Sequence, residues 1–353
     1  MGKIGFLLET QSISIIAGLV VALVLVALLR KYVLRQSLDL FAMWGDTRMV
    51  VYVAVSGALY FAVLVPFKFA VLVPGLSEIR PGVALPFLLS FLFGPAAAWG
   101  AGIGNFIGDF FGMFGPGSLL GFFGNFLLGY IPYVLYRTWV GHVPPSQAGL
   151  KAGVVIGISV VVASFACAVF IAWGAHLIGL APFAVLAPVI LTNNVLVGVA
   201  LALPLTLLLY RRAEKWGVVY YEVMDAEAVR PARTAKIGAV LLVAGAVGGW
   251  LIGMGLSIID EKPQAAMQTV ETQVAGAAEN AAATPAPAAK KPVKVITMPV
   301  AKIAPGVAGE PVAETPEQAE AAPAAPVEET SPWRIGLGVA PAILLLLIGI
   351  LLL

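Results

Sequence analysis

The sequence predicts an all-α integral membrane protein. Three observations predict it. Of 353 residues, 60% are hydrophobic and only 11% are charged, whereas a soluble domain carries about 25% charged residues. The mean hydropathy is +0.96. Apolar runs also recur along the chain at about the 20-residue length that crosses hydrocarbon as a helix. The same figures exclude an ordinary soluble enzyme and a chain disordered throughout. A net charge of +2 gives a nucleic-acid partner no footing. The single cysteine, Cys167, sits in an apolar run, so no disulfide forms within one chain. His142 and His176 have no Cys or His neighbour at ligand spacing. No metal and no cofactor are expected.

Nine segments are long or apolar enough to count as spans: 13–29, 49–74, 82–94, 96–114, 117–136, 150–178, 184–210, 236–258 and 335–353. The first has its positive charges after the apolar run and no small-residue cleavage site, so it reads as an anchor rather than a cleaved signal. The third is short and lies between Pro81 and Pro95. Residues 82–114 therefore read either as two spans or as one kinked span. Charge decides, because short cytoplasmic loops are enriched in Lys and Arg. Two spans place Arg30, Lys31, Arg35, Arg48, Arg137, Lys151, Arg211, Arg212, Lys215, Arg230, Arg233 and Lys236 on one side. Merging the spans would scatter them. The expected topology is a multi-pass plasma-membrane protein with its N-terminus outside and its C-terminus cytoplasmic.

Residues 259–332 are different material. Twenty of these 74 residues are Ala, eleven are Pro and none is aromatic. Such a stretch cannot bury enough apolar surface to offset its ordering entropy. It is expected to be a disordered tether, either a passive spacer or an arm for an envelope partner. The chain thus divides into an N-terminal anchor and loop (1–48), a six-helix core (49–215), an additional helix (216–258), the tether (259–332) and a C-terminal helix (333–353).

Three features of the core carry the functional reading. Ala54, Ala58 and Ala62 repeat every four residues and so share one helix face. Small residues let a second helix approach closely in a membrane, inside this chain or on a partner. Gly100, Gly104, Gly108 and Gly112 repeat likewise. They make a packing face, not a dinucleotide fingerprint, since no strand precedes them and the third glycine is displaced. Polar residues form the third feature. Asn105 and Asp109 stand four apart on the fourth span. Asn125 is on the fifth, Trp173 and His176 are on the sixth, and Asn193 and Asn194 are on the seventh. Lys68 ends the second span, with Glu78 and Arg80 in the loop beyond. In the expected topology these gather at the outer side. An ionisable group in a span is a functional hypothesis by default. Asp109 reads as a pocket acid or as a partner of Lys68. Each Asn alone reads equally as glue between helices. Asn193 and Asn194 point to two faces, so at most one is expected in a pocket. No P-loop, H-E-x-x-H or G-x-S-x-G motif occurs, and no enzyme is expected.

The run Leu85 to Asp109, with Phe93-Gly94-Pro95 leading into the glycine helix and Gly108-Asp109 closing it, and the alanine stripe before it, resemble the substrate-binding S component of energy-coupling factor (ECF) transporters. The resemblance covers about 49–215. It implies a six-helix bundle with a pocket open outward for a vitamin-like or other small micronutrient, and ATPase partner subunits that drive release inward. It places Lys68, Asn105, Asp109 and Asn125 in the pocket, with Glu78 and Arg80 in the covering loop. Trp173, His176 and Asn193 are further substrate-binding candidates. It makes Ala54, Ala58 and Ala62 the dock for the coupling membrane subunit. The outer helices and the tether lie beyond the usual unit. Two other classes compete: a non-transport membrane scaffold, and a secondary transporter. The latter normally shows a repeated half with broken helices at midplane, and no repeat is evident.

Overall fold

The computed structural model describes residues 24, 28, 39–67, 71–73, 77–78, 80–112, 114–141, 143–224, 231–260 and 332–353. All but residues 24 and 28 of the first expected span, Lys68 and nearly all of the 259–332 tether lie outside the described residues. The described chain forms helices α1 (Thr47–Leu64), α2 (Ala84–Phe93), α3 (Pro95–Asp109), α4 (Pro116–Val140), α5 (Gly149–Leu177), α6 (Phe183–Val197), α7 (Leu203–Lys215), α8 (Ala235–Asp260) and α9 (Pro332–Leu352). Two short strands, β1 (Val71–Val73) and β2 (Ser77–Glu78), pair antiparallel between α1 and α2. A π-helical turn, Gly198–Ala202, joins α6 to α7. Six helical runs among the described residues are long and apolar enough to cross a membrane. The all-α membrane fold expected from composition is what the chain adopts.

Residues 82–114 do not make two full-length spans. α2 has 10 residues and α3 has 15, so at 1.5 Å per residue they rise about 15 and 22 Å. The break is local chemistry. Pro95 starts α3, and Gly94 before it has φ of 57°, a backbone state that glycine adopts without steric cost. A Cβ there would lie 2.9 Å from the Tyr220 ring. The chain turns back on itself, so α2 and α3 form a helical hairpin.

Small residues fix the centre of the bundle. Apolar side chains gain little by leaving lipid for one another, so helices associate through close packing and hydrogen bonds. A Cβ on Gly104 would lie 2.6 Å from the Gly57 carbonyl oxygen. One on Gly129 would lie 2.8 Å from the Ala97 carbonyl oxygen. Backbone therefore touches backbone where α1 crosses α3 and where α3 crosses α4. Of the glycine face predicted on this helix, Gly100, Gly104 and Gly108 are buried, whereas Gly112 is exposed beyond the helix end.

α8 and α9 form an antiparallel pair against α5 and α6. Gly238 faces Gly349, and Gly245 faces Ala342 and Leu346. Three polar contacts tie this pair down. Trp173 Nε1 donates to the Gly336 carbonyl at 3.1 Å. Thr234 Oγ1 donates to Leu352 O at 2.7 Å. Arg137 Nη2 donates to Leu353 O at 3.2 Å.

Arg137 departs from its expected place as a short-loop charge. It is 3% exposed and paired with Asp39, itself 4% exposed, at 2.7 Å. The Asp39 carboxylate also accepts from Tyr130 Oη at 2.8 Å and Tyr133 Oη at 2.9 Å. The pair sits at the last turn of α4, where a cation also meets the negative end of the helix dipole. Removing one partner of a buried pair costs about 3–5 kcal/mol, because the other is left uncompensated. Asp39→Ala should therefore lower the melting temperature in detergent sharply. The double variant Asp39→Leu with Arg137→Met should recover most of the loss, read by differential scanning fluorimetry.

Candidate binding site

One end of the bundle encloses a cavity of about 260 Å³. Its walls come from the C-terminal half of α3, the N-terminal half of α4, the C-terminal half of α5 and one face of α6 from Leu186 to Asn194, with Arg80 and Val83 ahead of α2. Leu128, Cys167, Ile171, Leu186 and Ile190 make the apolar part. Arg80, Asn105, Asp109, Asn125, Asn193 and Asn194 make the polar part. A largely apolar hollow with a few convergent polar groups is how small-molecule sites are built.

The polar groups form a connected set. Arg80 Nη1 donates to Asn105 Oδ1 at 3.4 Å, and Asn105 Nδ2 donates to Asp109 Oδ2 at 3.3 Å. The backbone N–H of Arg80 donates to Asn193 Oδ1 at 3.3 Å. Asn193 Nδ2 in turn meets Asn194 Oδ1 at 3.5 Å. Arg80 therefore links α3 to α6 across the cavity. These contacts are long for charge-assisted bonds, which run about 2.7–2.9 Å. Asn105 and Asp109 are 0% and 4% exposed, so the acid is held away from bulk water beside the Asn105 amide.

The expected site residues divide as follows. Arg80, Asn105, Asp109, Asn125 and Asn193 converge on the cavity. Glu78 lies on β2 opposite Val71. Lys68 is outside the described residues. Trp173 and His176 do not line the cavity, which corrects their expected place. On α5 the cavity face is Cys167, Ile171 and Ala175, spaced by four. Trp173 and His176 are rotated off that face at 100° per residue. Trp173 instead bonds α9, an interaction that no local pattern announces.

Other residues were missed. Asn194 lines the cavity together with Asn193, so both asparagines reach it and not one. They do so because the cavity is wider than one helix face. Phe114, in the α3–α4 connection, also lines the cavity and stacks on Phe110 with ring centroids 4.1 Å apart. Tyr60 stands behind Asn125, its Oη donating to Asn125 Oδ1 at 2.6 Å. A tyrosine inside an apolar helix needs a hydrogen-bond partner, and that signal was available.

Ala54, Ala58 and Ala62 are exposed on α1, while Val53, Gly57, Tyr60 and Leu64 on its other face are buried. The stripe is thus not used for packing within the described chain.

Residues 50–211 match the sequence model of a family described as QueT transporter. No curated protein and no solved structure matches the chain. The matched stretch takes in α1 to most of α7, which includes every described residue that lines the cavity. Replacing Asn105 by Leu removes the amide between Arg80 and Asp109 while keeping the branched shape of the side chain. Taking one hydrogen bond from the buried Asp109 costs up to about 1–3 kcal/mol. The ligand-free Asn105→Leu protein should melt several degrees lower than the parent, as read by scanning fluorimetry.

Proposed function

We propose that this chain, whose 50–211 core belongs to the QueT transporter family, is the substrate-binding S component of an ECF-type importer for a queuosine precursor. The observation that carries the reading is coincidence. The stretch that matches a transporter family is the stretch that encloses a polar-lined cavity at one end of a membrane bundle. Queuosine precursors are bases of the 7-deazaguanine type: flat, partly apolar, with donors and acceptors along one edge. The apolar wall of Leu128, Ile171, Leu186 and Ile190 suits the ring faces. Asp109 suits ring and exocyclic N–H donors, since a carboxylate accepts at both oxygens. Asn105, Asn125, Asn193 and Asn194 suit the remaining edge, and Phe114 suits stacking.

In this reading the cavity opens to the outside, with the N-terminus outside and the C-terminus cytoplasmic. Arg80 closes over the ligand, with Glu78 on the same covering segment. The chain performs no chemistry on the ligand. Energy comes from partner subunits that bind and hydrolyse ATP. A coupling membrane subunit docks on Ala54, Ala58 and Ala62, where exposed small side chains permit close helix contact.

Two experiments test the proposal. A thermal-shift screen of purified protein against 7-deazaguanine bases should give one clear stabiliser. At 100 times its dissociation constant a ligand adds about 2.7 kcal/mol. The shift should vanish in Asp109→Ala. No shift with any such base in a folded protein would sink the substrate assignment. Separately, Ala58→Trp should abolish cellular uptake while leaving binding to purified protein unchanged. Loss of both together would remove α1 as a docking face.

A further inference from the structure

The hydrogen bonds around Asn125 fix which end of its amide meets the cavity. Asn125 Nδ2 donates to the Gly121 carbonyl at 2.8 Å. A carbonyl only accepts, so the amide nitrogen must lie on that side. Oδ1 thereby faces Tyr60, whose Oη stands 2.6 Å away and must donate. An amide nitrogen carries two hydrogens, and Gly121 takes one. Asn125 lines the cavity and is 2% exposed. Its second N–H is the polar group left to face the cavity. Asn194 repeats the pattern on α6. Its Oδ1 is met by Asn193, and its buried Nδ2 has no nitrogen or oxygen partner among the described residues. The cavity therefore offers amide donors from α4 and α6, against the acceptor oxygens of Asp109 on α3.

We propose that Tyr60 is a specificity-determining residue. By occupying Asn125 Oδ1 it makes Asn125 a donor toward the cavity, so the site selects ligands that carry an acceptor there, a carbonyl oxygen or an unprotonated ring nitrogen. The inference rests on the transport reading above. Tyr60 is 0% exposed and is not among the cavity-lining residues, so it acts through Asn125 as a positioning residue. The selection works by penalty. A ligand without the acceptor strands a buried N–H, and sites built to pair such groups reject deficient analogues far more strongly than apolar pockets reject a missing methylene.

The test uses equilibrium binding to the full chain in detergent. The probes are 7-deazaguanine and 2-amino-7-deazapurine, which lacks the carbonyl oxygen. The parent protein is expected to prefer 7-deazaguanine by about 10³-fold or more. In Tyr60→Phe the amide is no longer held, and the preference should fall about tenfold while the protein stays folded. Asn125→Asp replaces the donor by an isosteric acceptor. It should bind 7-deazaguanine at least tenfold more weakly and lose the preference, and it carries the test alone if Tyr60→Phe does not fold. Equal binding of both probes by the parent, or an unchanged preference in the variants, overturns the inference and leaves the transport reading standing. Binding of neither probe by the folded parent overturns both.

Discussion

The structure depends on how closely α1 and α3 approach each other. In water, a poor fit between helices is tolerated because burial still yields free energy. In lipid that source is nearly absent, since the tails are as apolar as the side chains. What remains is dispersion, which falls off steeply with separation. Gly57 and Gly104 bring two backbones to a distance that any Cβ would prevent. That contact sets where the rest of α3 lies, and with it Asn105 and Asp109. It also sets how deep α1 reaches, and so where the Tyr60 hydroxyl meets Asn125. The polar geometry of the cavity is thus a consequence of glycine placement within about one and a half turns on the same helices.

The opposite end is held by different means. There Asp39, Tyr130, Tyr133 and Arg137 form a buried network around one ion pair. Such a pair contributes little net stability over an apolar replacement, but it is intolerant of losing one member. The bundle therefore has a polar, connected hollow at one end and a polar, filled knot at the other. The first keeps amide N–H groups in reserve. The second spends both carboxylate oxygens on neighbouring side chains.

Much of this was legible in the sequence. Span lengths follow from hydrocarbon thickness, and the described helices lie near the expected segments. Asn105, Asp109 and Asn125 were legible because polar groups in apolar helices are costly and so conspicuous. The errors have physical causes. The α2–α3 region does turn back as two spans require, but its helices are shorter than expected, because hydropathy measures apolarity and not helix length. Arg137 read as a loop charge because its partner, Asp39, lies 98 positions away. Trp173 and His176 were assigned by depth alone, and depth does not specify azimuth. Tyr60 was overlooked although a tyrosine in an apolar helix needs a partner; what no spacing reveals is that the partner is Asn125, 65 positions away.

The α8–α9 pair gives the molecule a wider footprint in the plane of the bilayer than the matched core alone. It is fastened to α5 by the Trp173 bond, to α4 by the Arg137 bond and by glycine contact along its own seam. It lies against α5 and α6, away from α3, the main neighbour of α1. Any tilt of the core must carry these two helices as rigid cargo. The displaced lipid, and hence the viscous drag, grows with that cross-section. Two added helices would therefore slow any such tilt without touching the cavity or the alanine stripe.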